Sequence, residues 1–266
     1  MCDNDHSSNI LLTDRVRLVR DAYSDRPGFG TAVSDAILQR VAAGELGPTM
    51  RLHRPGRVLE FGRRDAVTPG FEGAVRAATD AGFTPIIRLA GGRAAVYHEG
   101  TLAMSLALPD PQPAARTHAR FELLAELLAG ALRDLGVDAR IGEVAGEYCP
   151  GEWSVNARGR SKLVGIGQRL IRGGSHLGAV IVVRDTALVR KALVPVYEAL
   201  ELSWDTDTAG SIEDEVPGTG LEAVEAAILA RIAADWGQPV DASLDRDTLA
   251  AAERLEPSHR PRASAA

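Results

Sequence analysis

Hydrophobic residues recur at helical spacing in three separate stretches of the chain. Apolar side chains share one helical face over Val33–Val41, and the same three- and four-residue spacing returns over Phe71–Ala81 and Arg120–Leu135. A glycine follows each of the last two stretches directly, and glycine commonly ends helices because it tolerates a left-handed backbone. The third stretch predicts the clearest amphipathic helix, whose apolar stripe is Phe121, Leu124, Leu128, Leu132 and Leu135.

Shorter apolar runs, bounded by glycine, proline or charged residues, predict β-strands. A predicted turn at Arg158-Gly159-Arg160 joins two of them into a hairpin. Because strands and helices are interleaved without a regular βαβ alternation, the pattern predicts an α+β fold. The predicted strands are Val58–Gly62, Thr84–Leu89, Ala94–Leu108, Val137–Val144, Trp153–Ala157, Lys162–Ile171 and His176–Val183.

The chain divides into four predicted segments. Residues 1–27 form a polar N-terminal leader and a first strand, and residues 28–204 form the main domain. Residues 205–256 begin with an acidic loop, Asp205–Gly220, and continue with predicted helices at Leu221–Trp236 and Asp247–Leu255. We predict that residues 257–266 are disordered.

Composition narrows the class of protein. The 266 residues carry a net charge of −6, whereas nucleic-acid binding requires a concentrated basic surface. We interpret the arginines at positions 51, 54, 57, 63 and 64 as solvated charges around a strand. No apolar stretch reaches the length of a membrane span, so we expect neither nucleic acid nor membrane as a partner. The two cysteines, Cys2 in the polar leader and Cys149, do not make a disulfide framework and fit a reducing cytoplasm.

The first of three segments with candidate chemistry contains a double glycine. Gly91 and Gly92 separate two predicted strands. Glycines permit a positive φ or a close approach of the backbone to a ligand, although a simple tight turn is the more common reason for such a pair. Because a strand follows and not a helix, a nucleotide-binding phosphate loop is disfavoured.

The second segment is the loop that holds Cys149. A cysteine that serves packing belongs in an apolar run, whereas this one is flanked by Tyr148 and Pro150 between glycines. A nucleophilic cysteine needs access and nearby cations, so Cys149 is a candidate nucleophile, and an inert half-buried thiol is the alternative. A zinc site needs about four clustered cysteine or histidine ligands, and we expect no metal here.

The third segment places Lys162 among apolar residues and glycines on a predicted strand. A lysine in this setting can stabilise a carbonyl oxyanion, and the alternative is a solvated lysine at a strand edge. His98 and His176 also fall near these segments. A single histidine is more often a structural group, so neither is assigned chemistry.

Together the three segments resemble the biotin/lipoate protein ligase catalytic superfamily, and within it the octanoyl-(glycine cleavage H protein):protein N-octanoyltransferase type. The resemblance spans about residues 28–185 and weakens beyond them. One matching block begins at the double glycine: Arg88, Gly91, Gly92, Ala94, Val96, Glu99, Gly100, Leu102, Ser105 and Leu106. A more specific block surrounds the cysteine and the lysine: Tyr148, Cys149, Pro150, Gly151, Lys162, Gly165, Ile166, Gln168, Arg169, Arg172, Gly173 and Gly174.

The resemblance implies an α+β catalytic domain with mixed sheets flanked by helices, and an acyltransferase activity. Cys149 would be the acyl-accepting nucleophile, and Lys162 the lysine that binds the acyl carbonyl. The implied partners are an octanoyl or lipoyl donor and a lipoyl-domain acceptor, such as glycine cleavage H protein or the E2 component of a 2-oxoacid dehydrogenase. The implied substrate-binding residues are Arg88, Gly91, Gly92, Gly165 and Gln168.

Two alternatives to the transferase remain open: an ATP-dependent lipoate-protein ligase, and a non-catalytic relative that binds an acyl group or cofactor. The ligases typically carry a third glycine where this chain has Arg93, whose side chain would crowd a close backbone approach. No cofactor is expected for the transferase, and only the ligase would need ATP and magnesium. His98 and Ala90 also depart from the residues that the transferases carry, which leaves details of the pocket open.

Overall fold

The computed structural model describes residues 15–261, whose strands form two mixed sheets. In chain order the strands are β1 (Arg17–Val19), β2 (Thr49–His53), β3 (Val58–Phe61), β4 (Thr84–Ile87), β5 (Ala95–Tyr97), β6 (Thr101–Asp110), β7 (Ala139–Ile141), β8 (Val155–Ala157), β9 (Ser161–Ile171), β10 (Gly173–Val182) and β11 (Val240–Asp241). The larger sheet has the order β11-β1-β2-β6-β10-β9-β8-β7, and the smaller has the order β4-β3-β5. Parallel pairs join β1 to β2 and β3 to β4, and most other pairs are antiparallel.

Helices flank both sheets, which confirms the predicted α+β class. In the described part of the chain they are α1 (Pro27–Ala42), α2 (Phe71–Asp80), α3 (Thr117–Asp134), α4 (Thr186–Ala199), α5 (Ile212–Glu215), α6 (Leu221–Trp236) and α7 (Arg246–Leu255). None of them is long and apolar enough to cross a lipid bilayer.

The three longest strands pair at the centre of the larger sheet. β10 is antiparallel to both β6 and β9, so that His176 lies opposite Ala107 on one side and Arg169 on the other. The turn from β9 into β10 is made by Gly173 with a φ of 85°. A side chain there would meet the carbonyl oxygen of Ala42 at the end of α1, so this turn requires glycine.

Each sheet has its own apolar core. Leu124, Leu128 and Leu132 of the predicted stripe point from α3 into the core that the larger sheet shares with α6. Phe121, at the start of the same stripe, is only partly buried and reaches a cavity that is described below. The smaller sheet packs with α2 and α4, and Tyr148 from the cysteine loop joins that second core. The cysteine loop is therefore anchored in the core of the smaller sheet.

One predicted strand is in fact two. The interval Ala94–Leu108 contains β5 and β6, which belong to different sheets. Residues 98–100 turn the chain between them, because the Gly100 N–H donates to Nδ1 of His98 and the Thr101 N–H donates to the carbonyl oxygen of His98. The strand predicted over Val137–Val144 shortens to β7.

The elements outside the predicted pattern include β2 and α4. Polar residues interrupt the alternation in β2, and Pro195 lies inside α4. The interpretation of the arginine cluster as solvated charge is wrong for Arg51, which is 1% exposed. Its guanidinium donates to the carbonyl oxygens of Asp21 and Gly30, and these bonds compensate for the loss of water.

The C-terminal predictions need two corrections. The predicted loop Asp205–Gly220 contains α5, whose first turn is capped by the hydroxyl of Ser211. The predicted disorder of residues 257–266 is wrong at its start, because Glu256–His259 form a 3-10 turn and the buried ring of His259 hydrogen-bonds the carbonyl oxygen of Ile87. Cys2, most of the leader and residues 262–266 lie outside the described residues. The division into four segments stays a prediction.

Candidate active site

Cys149 occupies a loop between β7 and β8 and adopts a left-handed backbone conformation. Its φ is 43°, which is uncommon for a residue with a side chain and implies that neighbouring contacts hold it there. On its amide side, the Cys149 N–H donates to the hydroxyl of Tyr197 at 2.9 Å. That hydroxyl in turn donates to the carbonyl oxygen of Ala94 at 3.0 Å, and burial keeps it protonated by raising the pKa of Tyr197.

The sulfur of Cys149 lies against the double-glycine segment. The backbone N–H of Arg93 donates to Sγ at 3.1 Å, and Nη1 of Arg88 lies 4.0 Å from Sγ. Burial acts to lower the pKa of Arg88, but the neighbouring Cys149 sulfur and Glu60 carboxyl outweigh burial and raise it. The sulfur therefore faces a permanent cation and a backbone donor.

Lys162 lies on β9 beneath the same loop and is 1% exposed. Its Nζ is 3.0 Å from Oε1 of Glu147, 3.0 Å from the carbonyl oxygen of Tyr148 and 2.7 Å from the carbonyl oxygen of Cys149. An ammonium has three N–H donors, and these three acceptors account for all of them. The structure thus brings the predicted pair together, yet the lysine holds the backbone of the cysteine loop instead of presenting a free N–H.

The double glycine is required by close packing around the sulfur. Gly92 has a φ of 111°, and a Cβ on it would lie 3.0 Å from Sγ of Cys149 and 3.0 Å from Nη1 of Arg88. The N–H of Gly91 donates to the carbonyl oxygen of Gln168 at 3.1 Å, which joins this segment to β9. The pair therefore does more than turn the chain, since it lets the thiol and the guanidinium share one space.

Gly165 and Gln168, also on β9, contribute in different ways. A Cβ on Gly165 would lie 3.3 Å from Cε of Lys162, so glycine leaves room for the lysine stem. The side-chain oxygen of Gln168 accepts from Nε of Arg120 at 2.8 Å, and its nitrogen donates to the carbonyl oxygen of Thr117 at 3.2 Å. Gln168 is thus tied to α3 at the rim of the site.

A cavity of about 380 Å³ opens beside the thiol, and we call it the outer cavity. All seven predicted site residues border it: Arg88, Gly91, Gly92, Cys149, Lys162, Gly165 and Gln168. Its remaining wall is mainly apolar, and Phe121 stacks on Trp153 there with ring planes 8° apart. A cavity of this size and character suits a small, mainly apolar ligand group.

A second, inner cavity of about 60 Å³ lies on the other side of Arg88. Glu60, His53 and His176 border it, and neither ring nitrogen of His176 has a hydrogen-bond partner among residues 15–261. Burial lowers the pKa of His176 to about 4, so its ring is neutral at pH 7. In the same described residues, no three histidine, cysteine or acidic side chains are grouped to hold a metal ion.

Two residues of the site escaped the sequence analysis, Glu147 and Tyr197. Glu147 sits two positions before the cysteine, where the sequence offers no sign that its carboxylate is buried. Tyr197 lies on α4, 48 residues beyond Cys149 and outside the matching blocks. The sequence carries no comparable signal for Tyr197 either.

Comparison with known proteins identifies the family and several relatives of this chain. Residues 26–232 match the family described as lipoyl protein ligase A/B catalytic domain. The chain is 33% identical over 184 residues to an octanoyl-[GcvH]:protein N-octanoyltransferase of Anoxybacillus flavithermus, covering 68% of this chain and 66% of that protein. It is 31% identical over 216 residues to the enzyme of the same name from Bacillus velezensis, covering 79% of this chain and 75% of that one.

Solved structures extend the likeness of fold. A crystal structure of lipoate-protein ligase A bound with ATP superposes with a TM-score of 0.73 at 18% identity, covering 91% of this chain and 94% of the ligase. A bipartite lipoate protein ligase from Thermoplasma acidophilum gives a TM-score of 0.70 at 17% identity, with 91% and 92% covered. With a family match over residues 26–232 and a shared fold, the chain belongs to the lipoyl protein ligase A/B catalytic domain family.

Proposed function

We propose that this protein is an acyltransferase that moves an octanoyl or lipoyl group to a lysine of a lipoyl-domain protein through a thioester on Cys149. The observation that carries the proposal is the placement of one accessible thiol between the Arg93 N–H and the Arg88 guanidinium, at the wall of the outer cavity. The names of the two octanoyltransferase relatives couple GcvH with a second protein, which makes GcvH and an E2 lipoyl domain the proposed partners.

The proposed reaction has two balanced steps. The Cys149 thiolate attacks the acyl carbonyl of the donor, a C–S bond forms, and the bond from that carbon to the donor's lysine nitrogen breaks as the nitrogen takes a proton from solvent. The neutral amine of the acceptor lysine then attacks the thioester, a C–N bond forms, the C–S bond breaks, and Cys149 leaves as the thiolate while the new amide nitrogen releases one proton to solvent. One amide replaces another, so the transfer is close to isoenergetic and needs no ATP.

Negative charge on the acyl oxygen needs donors near the sulfur during both steps. The Arg93 N–H and the Arg88 guanidinium are the nearest to Sγ and are fixed before substrate binds, as oxyanion stabilisation requires. Lys162 can take that role only if one of its N–H groups leaves the carbonyl oxygen of Tyr148 or Cys149.

The side chain of Arg93 supports a transferase over an ATP-dependent ligase. It extends to Asp65, with Nη1 3.1 Å from Oδ1, at a position where the ligases typically have glycine. The proposed compartment is a reducing cytoplasm, in which Cys149 stays a free thiol.

Acyl transfer by the purified protein tests the proposal. With octanoyl-GcvH as donor and an E2 lipoyl domain as acceptor, we expect octanoylated product without ATP, and mass spectrometry of the protein with donor alone should find the acyl group on Cys149. The Cys149→Ala variant should form no product, whereas Cys2→Ala, the matched control, should behave as the parent. Product that appears only with ATP would assign a ligase, and donor binding without any transfer would assign a non-catalytic relative.

A further inference from the structure

The geometry points to Glu147 as a positioning residue for acyl transfer, acting on the reacting thiol through Lys162 and the backbone of the cysteine loop. This inference rests on the proposed function. It assigns to a buried carboxylate, which the reaction itself does not use, the task of fixing where the sulfur of Cys149 lies.

The carboxylate of Glu147 collects four donors from within its own loop and from β9. Oε1 accepts from Nζ of Lys162 at 3.0 Å, from the N–H of Gly151 at 3.0 Å and from the hydroxyl of Ser154 at 2.6 Å. Oε2 accepts from the N–H of Val144 at 3.1 Å. The side chain is fully shielded from solvent, so these bonds replace its entire hydration.

These bonds tie both ends of the segment from residue 144 to residue 154 to one carboxylate, so that the segment forms a ring. The thiol of Cys149 lies at the edge of this ring. Val144 stands at one end and Ser154 at the other, and the same carboxylate holds both. Lys162 extends the ring by donating to the carbonyl oxygens of Tyr148 and Cys149. A residue with a φ of 43° persists only where its surroundings fix it, and here the ring does so on the carbonyl side of Cys149.

The ion pair between Glu147 and Lys162 also sets the charge beside the thiol. While the pair is intact, the positive charge of Lys162 is balanced by Oε1 of Glu147, which lies 3.0 Å from Nζ. Without Glu147, a bare cation would remain in contact with the carbonyl oxygen of Cys149. The other charged and titratable groups around the thiol, which stay the same in every variant, are Arg88, Arg93 with Asp65, Glu60, Tyr97, Tyr148 and Tyr197.

Glu147→Gln tests the inference, because glutamine keeps the size and removes the charge. We expect kcat for acyl transfer to fall tenfold or more while KM changes by less than about threefold, since the thiol is misplaced but the cavity remains. The pH midpoint of the rate of Cys149 alkylation by iodoacetamide should lie lower than in the parent, because the charge of Lys162 would no longer be balanced by a carboxylate. Glu143→Gln, the same change at an exposed position of the same loop, should leave both readouts as in the parent.

Lys162→Met should shift the pH midpoint of Cys149 alkylation in the opposite direction. It leaves the Glu147 carboxylate unpaired, so the alkylation midpoint should move to higher pH. In Glu147→Gln/Lys162→Met both charges are gone, and the midpoint should return toward that of the parent while kcat stays low. Loosening of the loop alone would not produce two opposite shifts that cancel.

A parent-like kcat in Glu147→Gln would overturn the inference, and so would a lower kcat with no shift of the midpoint. If Glu147→Gln does not yield folded protein, Ser154→Ala removes one hydrogen bond to the same carboxylate and should lower kcat by about twofold to fivefold; a parent-like kcat there would contradict the inference. Alkylation needs no acyl donor, so the midpoints report on Glu147 even if the protein transfers no acyl group.

Discussion

The two cavities share one residue, Arg88, and differ in almost everything else. The outer cavity presents the thiol, and the polar groups of its floor are paired, as in the contacts of Lys162 and Gln168. The inner cavity is several times smaller, and its polar groups include His176 and His53 with unpartnered ring nitrogens in the described part of the chain. The difference shows that protein contacts hold Lys162 and Gln168 in place at the outer cavity, whereas the histidine nitrogens at the inner cavity have no such contacts within residues 15–261.

The same face of β10 supplies both cavities. His176 and Gly178 border the inner one, and Val180, two residues further along, borders the outer one. Side chains two positions apart lie on the same face of a strand, so a segment outside β10 must separate the two cavities. The segment from Arg88 to Gly91 forms that partition, because a Cβ on Gly167 would meet both Nη2 of Arg88 and the carbonyl oxygen of Gly91.

The largest expected effect comes from removing the shared residue. Arg88→Met takes a cation from beside the thiol and from the cavity that holds Glu60. We expect transfer to slow about 100-fold, as for loss of one oxyanion donor. We also expect the free energy of unfolding to fall by about 2 kcal/mol, because Glu60 loses its facing charge. Kinetics and urea unfolding measure the two effects.

A second variant separates the two roles of Arg88. Burial raises the pKa of Glu60 and Arg88 opposes that effect, so the neutral amide in Glu60→Gln/Arg88→Met should recover most of the lost stability. The transfer rate should stay low. If rate and stability recovered together, the two cavities would act as one site, and the comparison would fail.

The next effect concerns the inner cavity and pH. The folded pKa of His176 is about 4 and that of an unfolded histidine is about 6.5, so the unfolded chain binds the proton first as pH falls. Stability is therefore complete above pH 6.5 and declines between pH 6.5 and 4, by up to about 3 kcal/mol from this group.

Urea unfolding at pH 7.5, 5.5 and 4.5 checks this expectation. His176→Gln should lose less stability over that range than the parent, with the remainder coming from His53 and other groups. His118→Gln, at an exposed position, should follow the parent curve. Identical pH dependence in the parent and in His176→Gln would show that the unpartnered ring is not protonated on unfolding as expected.

The smallest effect is expected at the amide side of Cys149. Tyr197→Phe keeps the buried ring and removes the hydroxyl that joins Cys149 to Ala94. We expect kcat to fall about fivefold. We expect the free energy of unfolding to fall by about 1 kcal/mol, the usual net contribution of such a hydrogen bond. Tyr23→Phe removes a hydroxyl at the inner cavity and should leave kcat unchanged. An equal loss of kcat in both variants would contradict a specific effect of the hydrogen bond between Tyr197 and Cys149.

Local patterns were sufficient to predict most of the elements that surround the site. The hairpin of β8 and β9 follows from a glycine turn between apolar runs, and the helix α3 follows from its leucine stripe. The matching sequence blocks predicted Cys149 and Lys162 as site residues, and the fold places both at one cavity. Their chemical roles stay predictions.

The missed features depend on tertiary contacts that no local window contains. Arg51 is buried because the carbonyl oxygens of two other segments accept from it. The saturation of Lys162 depends on the fold of the cysteine loop, and its partner Glu147 has a side chain that would be solvated in most loops. Tyr197 reaches the site because α4 packs on the smaller sheet, a long-range arrangement that its own sequence does not specify.

The hydrogen bond from Cys149 to Tyr197 has a consequence for how the protein matures. Synthesis proceeds from the N-terminus, and the tyrosine is added 48 residues after the cysteine. A nascent chain therefore carries Cys149 without the tyrosine contact until α4 has left the ribosome. Any shortened form that ends before residue 197 would keep every motif of the cysteine loop and still lack one of the two restraints on the backbone of Cys149.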